Sequence, residues 1–598
     1  MARYFGTAGD DSIAGAQFEA DTFVGFGIGY DKVVGGQFND TFIFSVDEKT
    51  DYVDGGAGED RIDYSRSDRG LTVDLAHDTV SAVFFDSPLL GGTHTAVVAN
   101  LNSIEDVVGS SFADRIIGSD ANNILEGGAG ADYVDGGHGI NTASYAHSTA
   151  AVQINLNNVV QHGGDAEGDQ LYHITNVIGS SFNDVLAGNS ANNTLDGGAG
   201  FDRAVYANAT EGVSVALAAG TVFGGVSTGT DTLRSIEAIQ GTNFVDKYDA
   251  SGFTATSTNG GGDQGNFNEF EGMGGNDVII GNGATRISYL HATHGVAVDI
   301  QAGIAIGDAS VGTDTFKGVN NVRGSDFGDT LLGSDNAPGT TEKFEGRGGD
   351  DYIDGRGGFD LAIYNHDSAT ASGISVNLAA GIVQGDATVG TDTLRSIEAV
   401  RGTDFADTFD ATGFGATSTN AGSVGTLNQF EGMGGDDTII GNGNTRVAFF
   451  NATGGVTVDM GAGTATGDAS VGHDTFTGVN AVIGSDFADT ITASSHNDTL
   501  TGGNGADTFV FNWSTWYEYW NPQSQNHTIT DFTAGDAAGH DVIQFQQSGF
   551  MPLTDFAAVQ AASQQVGSDV VITVSPHDTI TLTGVDLHAL TANDFHFV

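Results

Sequence analysis

Apolar positions recur along this chain with two short patterns. In GVSVAL (212–217), ISVNL (374–378) and GVTVDM (455–460), apolar and polar residues alternate. That alternation predicts short strands with one buried face. Elsewhere one apolar residue returns inside a nine-residue motif, as Val134 does in GGAGADYVDGGHGIN (127–141). Variants of this motif run from the first residues to about residue 510. Repeats of this size cannot bury a face alone, so they predict a stack of coils rather than several globular cores.

The motif reads Gly-Gly-x-Gly-x-Asp-x-(apolar)-x, a parallel β-helix pattern tied to Ca²⁺. Its glycines accept positive φ and let the chain turn sharply. Its Asp supplies a hard carboxylate oxygen. Ca²⁺ takes roughly six to eight oxygens, so carbonyls and carboxylates of neighbouring turns predict a cage. The phase sharpens the reading. Asp114, Asn123, Asp132 and Asn141 are nine apart, as are Asp184, Asn193 and Asp202, and Asp489, Asp498 and Asp507. Asp31 and Asp40, Asp51 and Asp60, and Asp351 and Asp360 are further pairs. If nine residues make half a coil, positions eighteen apart stack on one side. Asp114 over Asp132, Asp184 over Asp202, and Asp489 over Asp507 are then each expected to bracket a metal. Expected metal ligands also include Asp11, Asp40, Asp60, Asp277, Asp351, Asp360, Asp437 and Asp498.

A second motif, Gly-x-x-Phe-x-Asp, appears as GSSFAD (109–114), GSSFND (179–184), GTNFVD (241–246), GSDFGD (324–329), GTDFAD (402–407) and GSDFAD (484–489). Phe takes αL at a cost, so these turns are expected to be wider, with Phe as an apolar plug. Metal binding by their Asp residues is the weaker expectation. The second glycine is lost in GMGGND (272–277), GRGGDD (346–351) and GMGGDD (432–437). Arg286 and Arg446 stand where Asp is expected, so some half-coils should be metal-free.

A longer unit joins a strand stretch, a GTDTLRSIEAIQG-type segment (229–241) and the Phe motif. Residues 202–336 are visibly duplicated at 360–497. The division expected is 1–53 as N-terminal turns, 54–510 as about six repeated units, and 511–598 as a distinct C-terminal piece.

Charge and composition narrow the partners. There are 77 acidic and 19 basic residues, a net charge of −58. Such a chain repels itself and lacks the Lys/Arg stripes that nucleic acid needs. The Asp residues sit in glycine turns rather than in runs, which favours a calcium role over a merely solvated surface. The chain has no cysteine, so no disulfide or thiol chemistry. No stretch approaches the ~20 apolar residues of a membrane span. The N-terminus shows no basic and apolar leader pattern of a cleavable signal.

Together these features resemble the RTX (repeats-in-toxin) calcium-binding proteins. TGGNGADTFVF (501–511) looks like a last repeat entering a strand, and ITDFTAGDAAGHDVIQF (529–545) like the strand–turn–strand that follows. There the resemblance adds Asp531 and Asp541 as ligands. ITLTGVDLHALTANDFHFV (580–598) resembles the uncleaved signal of type I secretion. The resemblance implies an all-β, right-handed parallel β-roll or β-solenoid binding multiple Ca²⁺ ions, with a C-terminal cap and secretion region. It implies export unfolded through the type I machinery and folding outside the cell on meeting Ca²⁺.

Enzyme motifs are scarce. No His is followed by Glu, so HExxH is absent. One Gly-x-Ser-x-Gly string, GVSTG (225–229), has no readable strand-to-helix elbow, and its related segments carry Ser310, Thr388 and Ser470. A structural Ser is expected there. The insertion NWSTWYEYWNP (512–522) holds Trp513, Trp516, Tyr517, Tyr519 and Trp520. It reads either as a cover for the end of the roll or as an aromatic surface for assembly or glycan stacking. The function expected is a secreted, calcium-hardened structural subunit, not an enzyme, that self-assembles into a surface layer, filament or matrix. The alternative is a calcium-dependent adhesin that binds cell-surface glycan.

Overall fold

The structure, a computed structural model, describes residues 2–598 apart from 8, 16–18, 27–28, 86–92, 261–263, 338, 366–369, 513–524, 536, 538 and 547–552. Trp513, Trp516, Tyr517, Tyr519 and Trp520 all lie outside the described residues. The chain forms two compact units, Met1–Ser288 with Ala309–Val319, and Tyr289–Asp308 with Asn320–Val598.

In the first unit the nonapeptide yields three-residue strands whose middle residue points inward. Ile62 in Arg61–Asp63 and Val134 in Tyr133–Asp135 are at most 1% exposed, while their neighbours are half-buried. Glycine turns end each strand before it can lengthen. Arg115–Ile117 lies parallel between Leu71–Asp74 and Tyr133–Asp135, with Ile116 opposite both Val73 and Val134. A second parallel column runs through Asp106–Val108, Ile124–Glu126, Thr142–Ser144 and Asn176–Ile178. Each nine-residue step therefore crosses from one column to the other, and identical apolar positions stack coil on coil. Near the N-terminus the same stacking aligns rings. Tyr4, Phe23 and Phe42 follow one another at centroid spacings of 5.0 and 4.8 Å, matching the ~4.8 Å strand spacing.

Antiparallel inserts interrupt the parallel stack. Leu71–Asp74, Thr79–Phe85 and Thr93–Asn102 form one such meander. Ser214–Ala216, Thr221–Phe223 and Thr230–Arg234 form the next. These are the alternating stretches seen in the sequence.

The second unit repeats the pattern. Ser375–Asn377, Ile382–Gln384 and Thr391–Arg395 form an insert in the register of the 214–234 one. Thr457–Asp459, Thr464–Thr466 and His473–Ile483 form another. Toward the C-terminus, Thr508–Asn512, Val542–Gln546 and Phe595–Phe597 continue a parallel column. Thr579–Leu582, which overlaps the start of the segment that resembles a secretion signal, pairs with Asn526–Ile529. A helix at Phe556–Ala562 is capped by Asp555, whose carboxylate accepts the Ala558 N–H. The architecture is an all-β solenoid in both units.

Candidate metal centres

The turns at one edge of each parallel stretch carry a ladder of buried carboxylates. In the first, the N–H of Leu71 donates to Asp114, that of Asp114 to Asp132, and that of Asp132 to Asp169. Val152, Asp184, Asp202 and Glu237 form the second in the same way. Val213, Asp246, Asp277 and Asp314 form the third. In the second unit the ladders are Val296, Asp329, Asp351, Asp392; Ile374, Asp407, Asp437, Asp474; and Val456, Asp489, Asp507, Asp541. Each carboxylate thus uses Oδ1, or a Glu oxygen, to cap the strand-opening N–H of the coil below. The expected stacks of Asp114 over Asp132, Asp184 over Asp202, and Asp489 over Asp507 are all present.

The second oxygen separates two kinds of turn. In the Phe-type turns a Ser or Thr four residues before the Asp consumes it. Ser110 N–H donates to Asp114 Oδ2 at 2.5 Å, and its hydroxyl also reaches the carboxylate. Ser180, Thr242, Ser325, Thr403 and Ser485 do the same for Asp184, Asp246, Asp329, Asp407 and Asp489. In the glycine-type turns Oδ2 of Asp60, Asp132, Asp202, Asp277, Asp351, Asp360, Asp437 and Asp507 is buried and accepts no hydrogen bond among the described residues. A buried carboxylate oxygen left bare costs free energy unless a proton or a cation meets it.

Glycine makes room for that oxygen. A Cβ at Gly127 would sit 2.1 Å from Asp132 Oδ2, and one at Gly128, where φ is +88°, would sit 2.0 Å from the Ser110 carbonyl of the turn beneath. The bare oxygen and a backbone carbonyl therefore border a space that any side chain would fill. Among the described residues no three His, Cys, Asp or Glu side chains converge on one point. An ion here takes most of its oxygens from carbonyls and water, a donor set that suits Ca²⁺ and not a nitrogen- or sulfur-seeking metal.

Burial pushes Asp132 up to about 8, with the facing Asp169 adding to it. It raises Asp202 and Asp360 to about 8 and Asp277 to about 9. Asp351 and Asp437 are raised well above the carboxylate range by burial and then by Asp392 and Asp474. Burial also raises the Phe-type residues, against amide and hydroxyl donors that pull them back, to about 6 for Asp329 and about 7 for Asp407; the glycine-type Asp60 and Asp507 reach the same values, about 6 and about 7. The signs give opposite pH responses with and without metal. In the metal-free protein these folded carboxyls hold protons more tightly than the unfolded chain does, so stability is present at low pH and lost as pH rises toward 9. With Ca²⁺ present, protons compete for the same oxygens. Lowering pH from 8 to 5 should restore β structure in dilute chelated protein and raise the Ca²⁺ midpoint of the loaded form. Circular dichroism at both pH values checks this, and shifts of the same sign in both would contradict it.

The remaining expected ligands are placed differently. Asp40 uses Oδ2 on the Gly36 N–H, and Asp11 is held by the Thr7 N–H and hydroxyl. Ser494 and the buried His527 engage Asp498. Gly502 and Gly503 amides take both oxygens of Asp531, and Asp507 and Thr533 amides those of Asp541. Arg286 pairs with Glu269, and Arg446 donates to Gln429 at 2.8 Å, so those half-coils are closed by protein groups. The Phe residues are not plugs. Phe112, Phe182, Phe244, Phe327, Phe405 and Phe487 are 41–46% exposed. The reason is the Ser or Thr, which occupies the inside of the turn and accepts the Phe N–H, as Ser110 does from Phe112 at 3.1 Å. Sequence reading missed the last rungs, Asp169, Glu237, Asp314, Asp392 and Asp474, and also Asp231. For Asp231, Asp314, Asp392 and Asp474 the signal is the recurring Gly-x-Asp at 229–231, 312–314, 390–392 and 472–474; Asp169 and Glu237 lie outside it.

The family model of the RTX calcium-binding nonapeptide repeat (4 copies) matches residues 46–67, 108–143, 175–204, 343–362, 428–445 and 471–509. These segments contain Asp60, Asp132, Asp202, Asp351, Asp360, Asp437 and Asp507. No curated protein sequence matches the chain. Among solved structures, extracellular lipase LipA from Serratia marcescens aligns at 15% identity and a TM-score of 0.13, over 46% of this chain and 40% of the lipase chain. Matched repeats and bare carboxylate oxygens coincide in both units, and the chain carries RTX calcium-binding nonapeptide repeats whose turns bind several Ca²⁺ ions.

Proposed function

We propose that this chain is a secreted structural protein whose glycine-type turns are locked by Ca²⁺ outside the cell, and that the hardened solenoid self-assembles. The observation carrying this reading is the set of bare, buried Asp oxygens, one in each of eight glycine-type turns among the described residues. The sites are Asp60, Asp132, Asp202, Asp277, Asp351, Asp360, Asp437 and Asp507. The Phe-type Asp residues act as protein-capped rungs between them. These Asp residues would hold Ca²⁺, which would supply the positive charge their bare oxygens lack. The chain's own residues hold the strand-opening amides and keep the turns closed.

A non-catalytic role fits the GVSTG string. Residues 224–229 join two antiparallel strands, Thr221–Phe223 and Thr230–Arg234, not a strand and a helix. The Ser227 hydroxyl accepts the Thr210 N–H at 3.0 Å. Extracellular calcium is abundant while cytosolic calcium is scarce, so a chain whose turns need Ca²⁺ to close folds where it is exported. The type I machinery is the export route in this reading.

Assembly is tested by light scattering of the full chain with and without millimolar Ca²⁺. The expected outcome is Ca²⁺-dependent growth that is lost on removing residues 1–30 or in Trp516→Ala/Trp520→Ala. A parent that stays monomeric at high concentration in Ca²⁺ removes the self-assembly part.

A further inference from the structure

Four related hairpins turn at 217–220, 300–303, 378–381 and 460–463. The chain itself covers three of these turns. The Ala218 carbonyl accepts the Thr258 N–H at 3.1 Å, and Phe253 and Asn259 of that cover are buried. The equivalent Ala379 carbonyl accepts the Thr419 N–H at 2.9 Å, and Phe414 and Asn420 are buried in the same way. On the 300–303 turn, Arg356 donates to Gln301 Oε1 at 3.2 Å and to both Asp299 oxygens at 2.9 Å.

The 460–463 turn has no such cover among the described residues. Gly461 stands at the Ala218, Gln301 and Ala379 position, and its carbonyl accepts no backbone N–H among the described residues. Asn512 lies as far after Asp507 as Arg356 lies after Asp351. The segment after the flanking strand runs only over 493–498, against 250–267 and 411–427 where a cover exists. A groove of about 680 Å³ opens instead between the 461–463 and 494–498 turns of the second unit. Met460 and Phe476, 7% and 5% exposed, give it an apolar floor. Asn480, Ser495, His496 and Asn497 add polar groups. Asn497 Oδ1 accepts the Asn526 N–H at 2.8 Å, which fixes the carboxamide with its NH₂ still to donate. Asp498 brings a carboxylate, but the Ser494 amide and hydroxyl and the buried His527 engage it.

We propose that this groove binds a neutral saccharide of one or two rings. The covers at 217–220 and 378–381 are uncharged and amphipathic: a buried Phe, a Thr amide and an Asn. A sugar ring matches that character, with an apolar C–H face for Met460 and Phe476 and hydroxyls for Asn480, Asn497 and the Gly461 carbonyl. The volume lies within the roughly 300–1,000 Å³ of ligand pockets. A peptide strand would need an open sheet edge for main-chain pairing, whereas two closed turns flank this groove. The net charge of −58 disfavours acidic sugars.

The test uses the full chain in Ca²⁺ and saturation-transfer NMR with maltose, lactose, cellobiose and chitobiose at millimolar concentration. At least one should bind. Asn480→Ala should weaken that binding about tenfold, the loss of one hydrogen bond. Gly461→Gln/Asn512→Arg, which builds the bridge of the 300–303 turn, should abolish it and keep the parent's melting temperature. A Cβ at Gly461 lies 3.3 Å from its nearest neighbour, Asp459 Oδ1, so a side chain is accommodated there. Failure of all four sugars to bind, or unchanged binding in the folded double variant, overturns the proposal. Binding lost in Trp516→Ala/Trp520→Ala but kept in Asn480→Ala overturns it too, because the sugar then sits on the aromatic insertion. The peptide TATSTN, copied from residues 254–259, is the competing occupant, and its binding where no sugar binds would make the groove a seat for protein. Should the double variant fail to fold, Asn480→Ala decides alone.

Discussion

Removing Ca²⁺ at pH 8 should abolish the β fold, and millimolar Ca²⁺ should restore it. Each ion bound at a hundred times its Kd adds about 2.7 kcal/mol to the folded state. Four such ions match the ~10 kcal/mol margin of a typical domain, and among the described residues eight glycine-type Asp residues present a bare oxygen. The opposing terms act at the same time. At pH 8 the unfolded chain ionises all its carboxylates freely, whereas the fold must bury Asp277, raised to about 9, and Asp132 and Asp202, raised to about 8. A net charge of −58 adds self-repulsion. Far-UV circular dichroism in chelator should therefore report coil, and calcium titration should be steep, because neighbouring coils order together. A native β spectrum in excess chelator at pH 8 would show that the hydrophobic columns suffice alone, and would sink the metal-locked reading.

Adjacent rungs of one ladder should respond differently to the same substitution. Asp277→Asn keeps the Oδ1 acceptor for the Asp246 N–H but replaces the bare oxygen with an amide. It should lose one Ca²⁺ and, at a hundred times Kd, about 2.7 kcal/mol. Asp246→Asn instead turns an NH₂ toward the Thr242 amide that now donates to Oδ2 at 2.7 Å. That leaves a buried donor unmet, at a cost of about 1–3 kcal/mol. The two variants should thus be destabilised to similar degrees and separate only by ion count. Calorimetric stoichiometry is the measurement. If Asp246→Asn also loses an ion, the Ser/Thr cap does not stand in for metal.

The nine-residue Asp phase made the coil, the inward residue and the stacking of Asp114 on Asp132 legible, because each is set within one or two turns of chain. The last rungs were not legible for a geometric reason. Asp132 and Asp169, and Asp277 and Asp314, are 37 residues apart, and Asp351 and Asp392 are 41 apart, yet each pair is one coil apart in space. The antiparallel inserts lengthen the chain path without lengthening the stack, so periodicity in sequence fails where periodicity in space persists. The outward Phe is not legible in the sequence, because apolarity alone does not fix burial. In these turns a hydroxyl two residues earlier decides which way the backbone faces. The division of labour between Ser-capped and bare Asp residues is written in the sequence as Gly-Ser/Thr-x-Phe against Gly-x-x-Gly. Only the hydrogen bonds say what that difference does.

The inserts have a further consequence, for how the chain finds its place. A uniform pile of nonapeptides is translationally degenerate. Sliding one half past the other by a single coil exchanges every rung for an equivalent one and leaves nearly all hydrogen bonds intact. Such a polymer would fold quickly into many mis-stacked forms. The meanders at 71–102, 214–234, 375–395 and 457–475 act as punctuation. A slip of one coil would set a three-stranded antiparallel patch against a parallel run and forfeit its ladder. The smallest slip that preserves every partner is then a whole duplicated unit rather than eighteen residues. These interruptions leave a repetitive chain far fewer alignments to choose among.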